Sequence, residues 1–226
     1  VLPGISINDL GIEALQRHSS ESLEPRLQID KNRVVTDGGP VVAGYNTSWP
    51  AQAAHALSSL HQPFAGFGER FEHIGSTAIP GMAAKDIVDL QISVVDLQGV
   101  EVSASAPLEA LGFQRSPQVM DHLPSGTIDD PDNWSKLLWL RRNPGSTDIN
   151  LHVRRSGSPN ERLALLFRDW FRTHPSAVPA YASFKIALAG LCPDSEAYAN
   201  AKDPVVDLVM VAAEEWARTV GWRVES

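Results

Sequence analysis

Cysteine is nearly absent from this chain of 226 residues: Cys192 stands alone. A single thiol rules out an internal disulfide framework and fits a reducing compartment. No apolar run approaches the roughly 20 residues of a membrane span. The N-terminus lacks the basic-then-apolar order of a signal peptide. A cytoplasmic protein with no membrane partner is therefore expected. The first residue is Val1, so an initiator Met has been trimmed or the chain is a piece of something longer. Positive charge is also scarce, with 19 Lys and Arg against 27 Asp and Glu for a formal net charge of −8. A general nucleic-acid binder draws its affinity from a basic face, so that class is disfavoured, while a local basic pocket stays open. No pair of His or Cys has zinc spacing. No Gly-rich loop ends in Lys-Ser or Lys-Thr, so the chain is not a P-loop kinase by itself.

What is present describes an ordinary globular protein. Apolar residues make up 43% and charged ones 20%, enough for one large domain or one domain with an extension. Residues 1–40 read as an irregular N-terminal extension closed by Gly38-Gly39-Pro40, and residues 41–226 as the main domain. Within it Val41–Tyr45 suggests a short strand, and Pro50 starts a helix through about His61. Arg70–Gly75 and Ile87–Val95 read as strands. Pro107–Leu111 reads as a short helix with the proline in its first turn and Gly112 as its stop. Met120–Trp134 is a loop rich in Asp, Pro and Gly. Lys136–Arg142 and Asp148–Arg154 form strands around the turn Asn143-Pro144-Gly145-Ser146. From Pro159 the period becomes helical, with Leu163, Leu166, Phe167, Trp170 and Phe171 on one stripe. Val205, Leu208, Val209, Ala212, Ala213, Trp216 and Val220 mark the last helix, and Lys202-Asp203-Pro204 reads as an N-cap signature. Trp49, Trp134 and Trp139 suit core or rim packing.

The stretch with most chemistry is His73-Ile74-Gly75-Ser76-Thr77, followed by Lys85 and by Asp89 inside an apolar run. A strand that ends in Gly-Ser and turns into a short helix offers unpaired N–H groups to a phosphate. An acid on the returning strand would hold a divalent metal against that phosphate. Alternation puts Asp89, Gln91 and Ser93 on one side of their strand and Asp148, Asn150, His152 and Arg154 on one side of theirs. If those strands are neighbours, Asp89, Gln91, Asn150 and His152 line a cleft floor, a face too polar to be buried against helices. A solvent-facing sheet is the bland alternative.

Each candidate carries a plainer reading beside the functional one. Gly75, Ser76 and Thr77 form a phosphate cradle or only a turn. Asp89, with Asp148 as second carboxylate, holds a magnesium ion or serves as a structural acid. Gln91 occupies the place of a second acid, so a two-metal mechanism is not expected. His152 acts as general base, as phosphate ligand, or as a hydrogen-bonding strand residue, while His73 braces the turn. Lys85 is an anion ligand or a surface lysine. Arg168 pairs with a sheet acid or reaches the cleft, and Lys185 and Lys202 are further pocket candidates.

A resemblance adds to this reading. His73 to Pro80, Ala84-Lys85, Val88-Asp89 and Asn150-Leu151-His152-Val153 resemble the GrpB family. Tyr45 with Trp49-Pro50, Phe167-Arg168-Asp169-Trp170 with His174-Pro175, and Tyr181 with Lys185 agree. The likeness runs from about Val41 to the C-terminus. It implies an α/β fold of nucleotidyltransferase type, a mixed sheet flanked by helices with a C-terminal helical cluster. The variant Ala-Lys-Asp-Ile-Val-Asp-Leu-Gln is similar to GrpB domains fused behind dephospho-CoA kinase in some bacteria. Two functions follow as expectations. The first is binding of a nucleotide or phosphorylated small molecule, with magnesium-dependent nucleotidyl transfer as its extension. The second is a non-catalytic partner domain that stabilises or regulates a kinase of coenzyme A synthesis.

Overall fold

The computed structural model describes residues 39–224. The expected N-terminal extension lies almost wholly outside the described residues. Helix α1 (Trp49–Leu60) begins with Pro50 in its first turn, where a missing N–H costs nothing. Strand β1 (Gly68–Ile74) passes through Gly75 into a 3₁₀ turn over Ser76–Ala78, and β2 (Ile87–Val94) follows. Next come α2 (Leu97–Ala110) and the strands β3 (Gln114–Arg115), β4 (Lys136–Arg141) and β5 (Asp148–Arg155). The chain continues in helices α3 (Pro159–Thr173), α4 (Val178–Ala189) and α5 (Ser195–Val220).

The five strands form one mixed sheet in the order β1-β2-β5-β4-β3. Only the central β2–β5 pair is parallel; the other neighbours run antiparallel. One face of the sheet is apolar. Val88, Leu90, Ile92 and Val94 of β2 and Ile149, Leu151 and Val153 of β5 are buried there with Trp49, Ala53 and Leu60 of α1 and Val100, Ala104 and Leu108 of α2. Full burial of an aliphatic side chain contributes about 1.5–3 kcal/mol, so this face pins the strand register. A second core gathers Leu166, Phe167 and Phe171 of α3, Tyr181 of α4 and Met210, Ala213 and Ala217 of α5 around Ile79 and Met82. The α/β architecture, mixed sheet and C-terminal helical cluster agree with expectation.

Three local expectations need correction. The segment Val41–Tyr45 contributes only an isolated bridge, Ala43 to Ala84, because both of its hydrogen bonds fall on that single rung. Helix α2 starts well before Pro107: Asp96 caps it by accepting from the Gln98 and Gly99 N–H groups at 3.0 and 3.1 Å. Buried Val100, Ala104 and Leu108, each four residues apart, hold α2 to the sheet, so Pro107 sits in its last turn. Gly112 does end the segment, at φ 82°. Lys202-Asp203-Pro204 does not start a helix either, because α5 is capped at Asp194 and runs through Pro204. The proline ring is exposed, and buried Tyr198 and Met210 hold the flanking turns.

Candidate functional site

The polar face of the sheet is built by the parallel pairing of β2 and β5. Register places Asp89 opposite Asn150 and Gln91 opposite His152. Asp89 Oδ1 accepts a hydrogen bond from Asn150 Nδ2 at 2.7 Å and lies 3.7 Å from His152 Nε2. The expectation that Asp89 and His152 lie on the same side of one sheet holds.

This face is open at one end and covered at the other, which corrects the idea that it is too polar to lie beneath a helix. Gln91 and Ser93 are fully buried and Arg154 nearly so, under α3. Gln91 turns away from the cleft: its Oε1 accepts from Arg154 Nη1 at 2.5 Å and its Nε2 points to the Glu161 carbonyl. Burying such groups is tolerable only when they are paired. Arg154 meets Asp121 at 2.7 Å, Lys136 meets the same carboxylate at 2.6 Å, and Asn160 donates to it at 3.0 Å. Burial pushes the Asp121 carboxyl up, but the Arg154 charge and hydrogen bond with the Lys136 charge outweigh it and hold it far below the usual carboxylate range. Asp121 comes from the segment expected to be a loop, so this buried anchor had no signal in the sequence.

The open end carries the candidate site. Gly75 has φ 69° and ψ −167°, a region that is essentially reserved for glycine. A Cβ there would stand 2.5 Å from Asp89 Oδ2, so glycine also permits the close approach of turn and carboxylate. Ser76 faces the cleft rim, and its Oγ lies 2.7 Å from Lys185 Nζ. Thr77 does not join it, because it is 1% exposed and its hydroxyl pairs with His73 Nε2 at 2.9 Å. His73 thus braces the turn as expected, and burial lowers its pKa to about 4, so it is neutral there.

His152 is also neutral at physiological pH: burial first, then the Arg154 charge, lowers its pKa to about 4. Arg154 Nη2 lies 3.3 Å from His152 Nδ1. A guanidinium only donates, so Nδ1 accepts and Nε2 carries the proton toward Asp89. With that lone pair engaged, His152 in this arrangement orients Asp89 rather than receiving a proton. Burial works to raise the Asp89 carboxyl pKa, but the neighbouring His152 ring, the Asn150 hydrogen bond and the Lys202 charge leave it below the ordinary value.

Cations surround this carboxylate. Lys85, half-buried with its amine 5.7 Å from the Tyr198 ring centroid, feels both Asp89 and Lys202. Its pKa is lowered by burial first, with Lys202 pushing the same way and Asp89 opposing. Lys202 projects from α5 and acts on Asp89, Lys85 and Lys185 alike. Arg142 donates to the Asn150 amide oxygen and lies 3.8 Å from Asp148. Beside it a groove of about 650 Å³ is lined by Gln52, Asp86, Arg142, Asp148 and the turn between them. Arg168, by contrast, stays out of the cleft: it pairs with Glu72 at 2.5 Å, with Asp169 at 2.7 Å and with the His73 carbonyl at 3.1 Å. Sequence reasoning weighed Lys202 as a pocket residue but missed Arg142. The hairpin register that sets Leu140 opposite Asn150 was the available signal for Arg142.

The described side chains alone do not form a closed magnesium cage. Among the described residues no three His, Cys, Asp or Glu side chains converge as a metal would require. Asp148 engages Arg142 rather than Asp89, and the Gln91 oxygen is spent on Arg154. That leaves Asp89 as the carboxylate at the open end, so a Mg²⁺ there would draw the rest of its octahedral oxygen shell from water and from a bound phosphate.

Comparison with known proteins agrees with this architecture. A family model described as GrpB protein matches residues 40–211. A dephospho-CoA kinase of Mycolicibacterium paratuberculosis is 32% identical over 189 residues, covering 77% of this chain and 46% of that protein. A dephospho-CoA kinase of Mycobacterium bovis is 34% identical over 192 residues, covering 78% and 46%. The chain thus spans about half the length of these curated relatives. A UPF0157 protein of Pseudomonas aeruginosa is 33% identical over 169 residues, covering 72% of this chain and 63% of its own. The crystal structure of the conserved protein GrpB from Enterococcus faecalis aligns with a TM-score of 0.62 at 24% identity, over 78% of this chain and 99% of that one. At that identity the likeness speaks for the fold alone.

Proposed function

The chain belongs to the GrpB family, and from that premise we propose that the open end of its polar sheet face binds a nucleotide or another phosphorylated small molecule. The observation that carries this reading is the gathering of basic side chains in an acidic chain: Lys85, Lys185 and Lys202 bear on the carboxylate Asp89. A phosphate beside Ser76 would meet these ammonium groups, and charge-assisted bonds of this kind are roughly twice as strong as neutral ones. Asp89, held by Asn150 and His152, fixes the geometry of the turn and limits how much negative charge the site accepts. The groove beside Arg142 and Asp148 offers room for the rest of the ligand. In this reading the ammonium groups rather than a metal carry the affinity, and no nucleotidyl-transfer step is assigned to the site.

A thermal-shift screen of nucleotides and coenzyme A precursors, with and without Mg²⁺, tests the reading. A ligand at a hundred times its dissociation constant should stabilise the fold by about 2.7 kcal/mol. The shift should persist without Mg²⁺ and shrink in Lys202→Met. A panel in which no phosphorylated compound moves the melting temperature would refute it.

The names of the mycobacterial relatives favour a second reading, a partner domain for a kinase of coenzyme A synthesis. That role predicts co-purification with a dephospho-CoA kinase, or a change in its activity, that survives Lys202→Met. Loss of the kinase effect in step with anion binding would instead tie the two readings into one.

A further inference from the structure

We propose that the cleft takes up a proton together with its anion, Lys185 being a neutral amine when the site is empty and an ammonium when an anion sits against Ser76. The inference rests on the reading of this cleft as an anion site and adds how pH would control it.

Lys185 is 2% exposed, among the largest fully buried side chains of the protein. Its Nζ lies 2.7 Å from the Ser76 hydroxyl and 5.3 Å from the centroid of the Tyr181 ring. Among the described residues no carboxylate stands within ion-pair distance of it, unlike buried Lys136, which rests on Asp121. A buried charge without a counter-ion is expensive, and a lysine relieves that cost by giving up its proton. A neutral amine and a serine hydroxyl satisfy each other, since either can donate.

Groups from every packed element fix the direction of the effect. Burial is the largest influence on Lys185 and lowers its pKa to about 7. The Lys202 charge on α5 pushes the same way, and Asp89 on β2 opposes both. Lys85 lies in the same field but is coupled to Asp89 and Lys202. Tyr181, on the same helix as Lys185, has its phenol pushed well above the usual range by burial, so it stays neutral throughout. An anion at Ser76 supplies the missing counter-charge and raises the Lys185 pKa.

Linkage then sets the pH dependence. Above about pH 7 each pH unit should weaken anion binding by up to roughly tenfold, until the raised pKa of the bound state is passed. A phosphomonoester loses its second charge below about pH 6, so its binding should be tightest between pH 6 and 7.

Sulfate separates the two titrations, because its charge is constant across this range. In the full chain, lysine Cε resonances should show Lys185 titrating near pH 7, with a midpoint at least one unit higher in saturating sulfate. Calorimetry in buffers of different ionisation enthalpy should show proton uptake on sulfate binding at pH 7.5. The affinity should fall several-fold from pH 7 to pH 8. Lys185→Arg, whose charge does not titrate, should bind sulfate with no such fall. A free-state midpoint near 10, or sulfate binding without proton uptake, overturns the inference while leaving the anion site intact. If neither sulfate nor any phosphorylated compound binds at any pH, both the inference and the anion site fail. The wild-type measurements decide the matter even if Lys185→Arg does not fold.

Discussion

Replacing Asp121 by Ala should be the most damaging single change to the floor of the cleft. This carboxylate is the shared counter-ion of Lys136 and Arg154, whose side chains are 4% and 7% exposed. Its removal leaves two buried cations facing one another beside Gln91 and takes one of two acceptors from the Asn160 amide, which keeps the Ser135 carbonyl. Breaking a buried ion pair by removing one partner costs about 3–5 kcal/mol, against a total stability of about 5–15 kcal/mol for a typical domain. Urea titration should therefore show a lower midpoint with little change in slope. The pH dependence gives a second reading. The folded-state pKa of Asp121 lies below its unfolded value of about 3.9. Its contribution is thus fully present above pH 5 and is lost as pH falls through about 4 toward the folded pKa. The wild type should lose stability steeply over that interval, and Asp121→Asn should lose much less. A loss below 1 kcal/mol for Asp121→Ala, or parallel acid profiles for wild type and Asp121→Asn, would refute the argument that this network holds the floor together.

Gly75→Ala should cost about 1–3 kcal/mol for its backbone region alone, and more for the Cβ that would press on Asp89; circular dichroism melting and the anion-binding screen should both register it. Gln91→Asp should leave Mg²⁺ affinity unchanged in calorimetric titration, because the new carboxylate would face Arg154 under α3 and not the cleft. A gain in Mg²⁺ affinity would show that this end of the face is open after all.

Much of the fold was legible because it depends on short-range pattern. The two-residue alternation of Ile87–Val94 and Asp148–Arg155 assigns apolar side chains to one face and polar ones to the other, whatever lies around them. The 3.6-residue stripe of α3 and the turn at Asn143–Ser146 are equally local. Helix α2 escaped notice because its buried positions include the small Val100 and Ala104, and because Pro107 imitates a start. Pro204 misled in the same way inside α5.

For the site, sequence alone determined which residues could share a face: Asp89 with Gln91, and Asn150 with His152, after a Gly-Ser turn. Only the tertiary structure decided which of them share an environment. Laying α3 across half of the polar face closed Gln91 and Arg154 into an ion-pair network and left Asp89, Asn150 and His152 partly exposed. Packing α4 and α5 beside the turn brought Lys185 and Lys202 to it from more than a hundred residues away. Such juxtapositions come from the apolar contacts of the second core, and burial then sets the charge state of what they carry. No spacing rule records either, because both depend on which helix covers which surface.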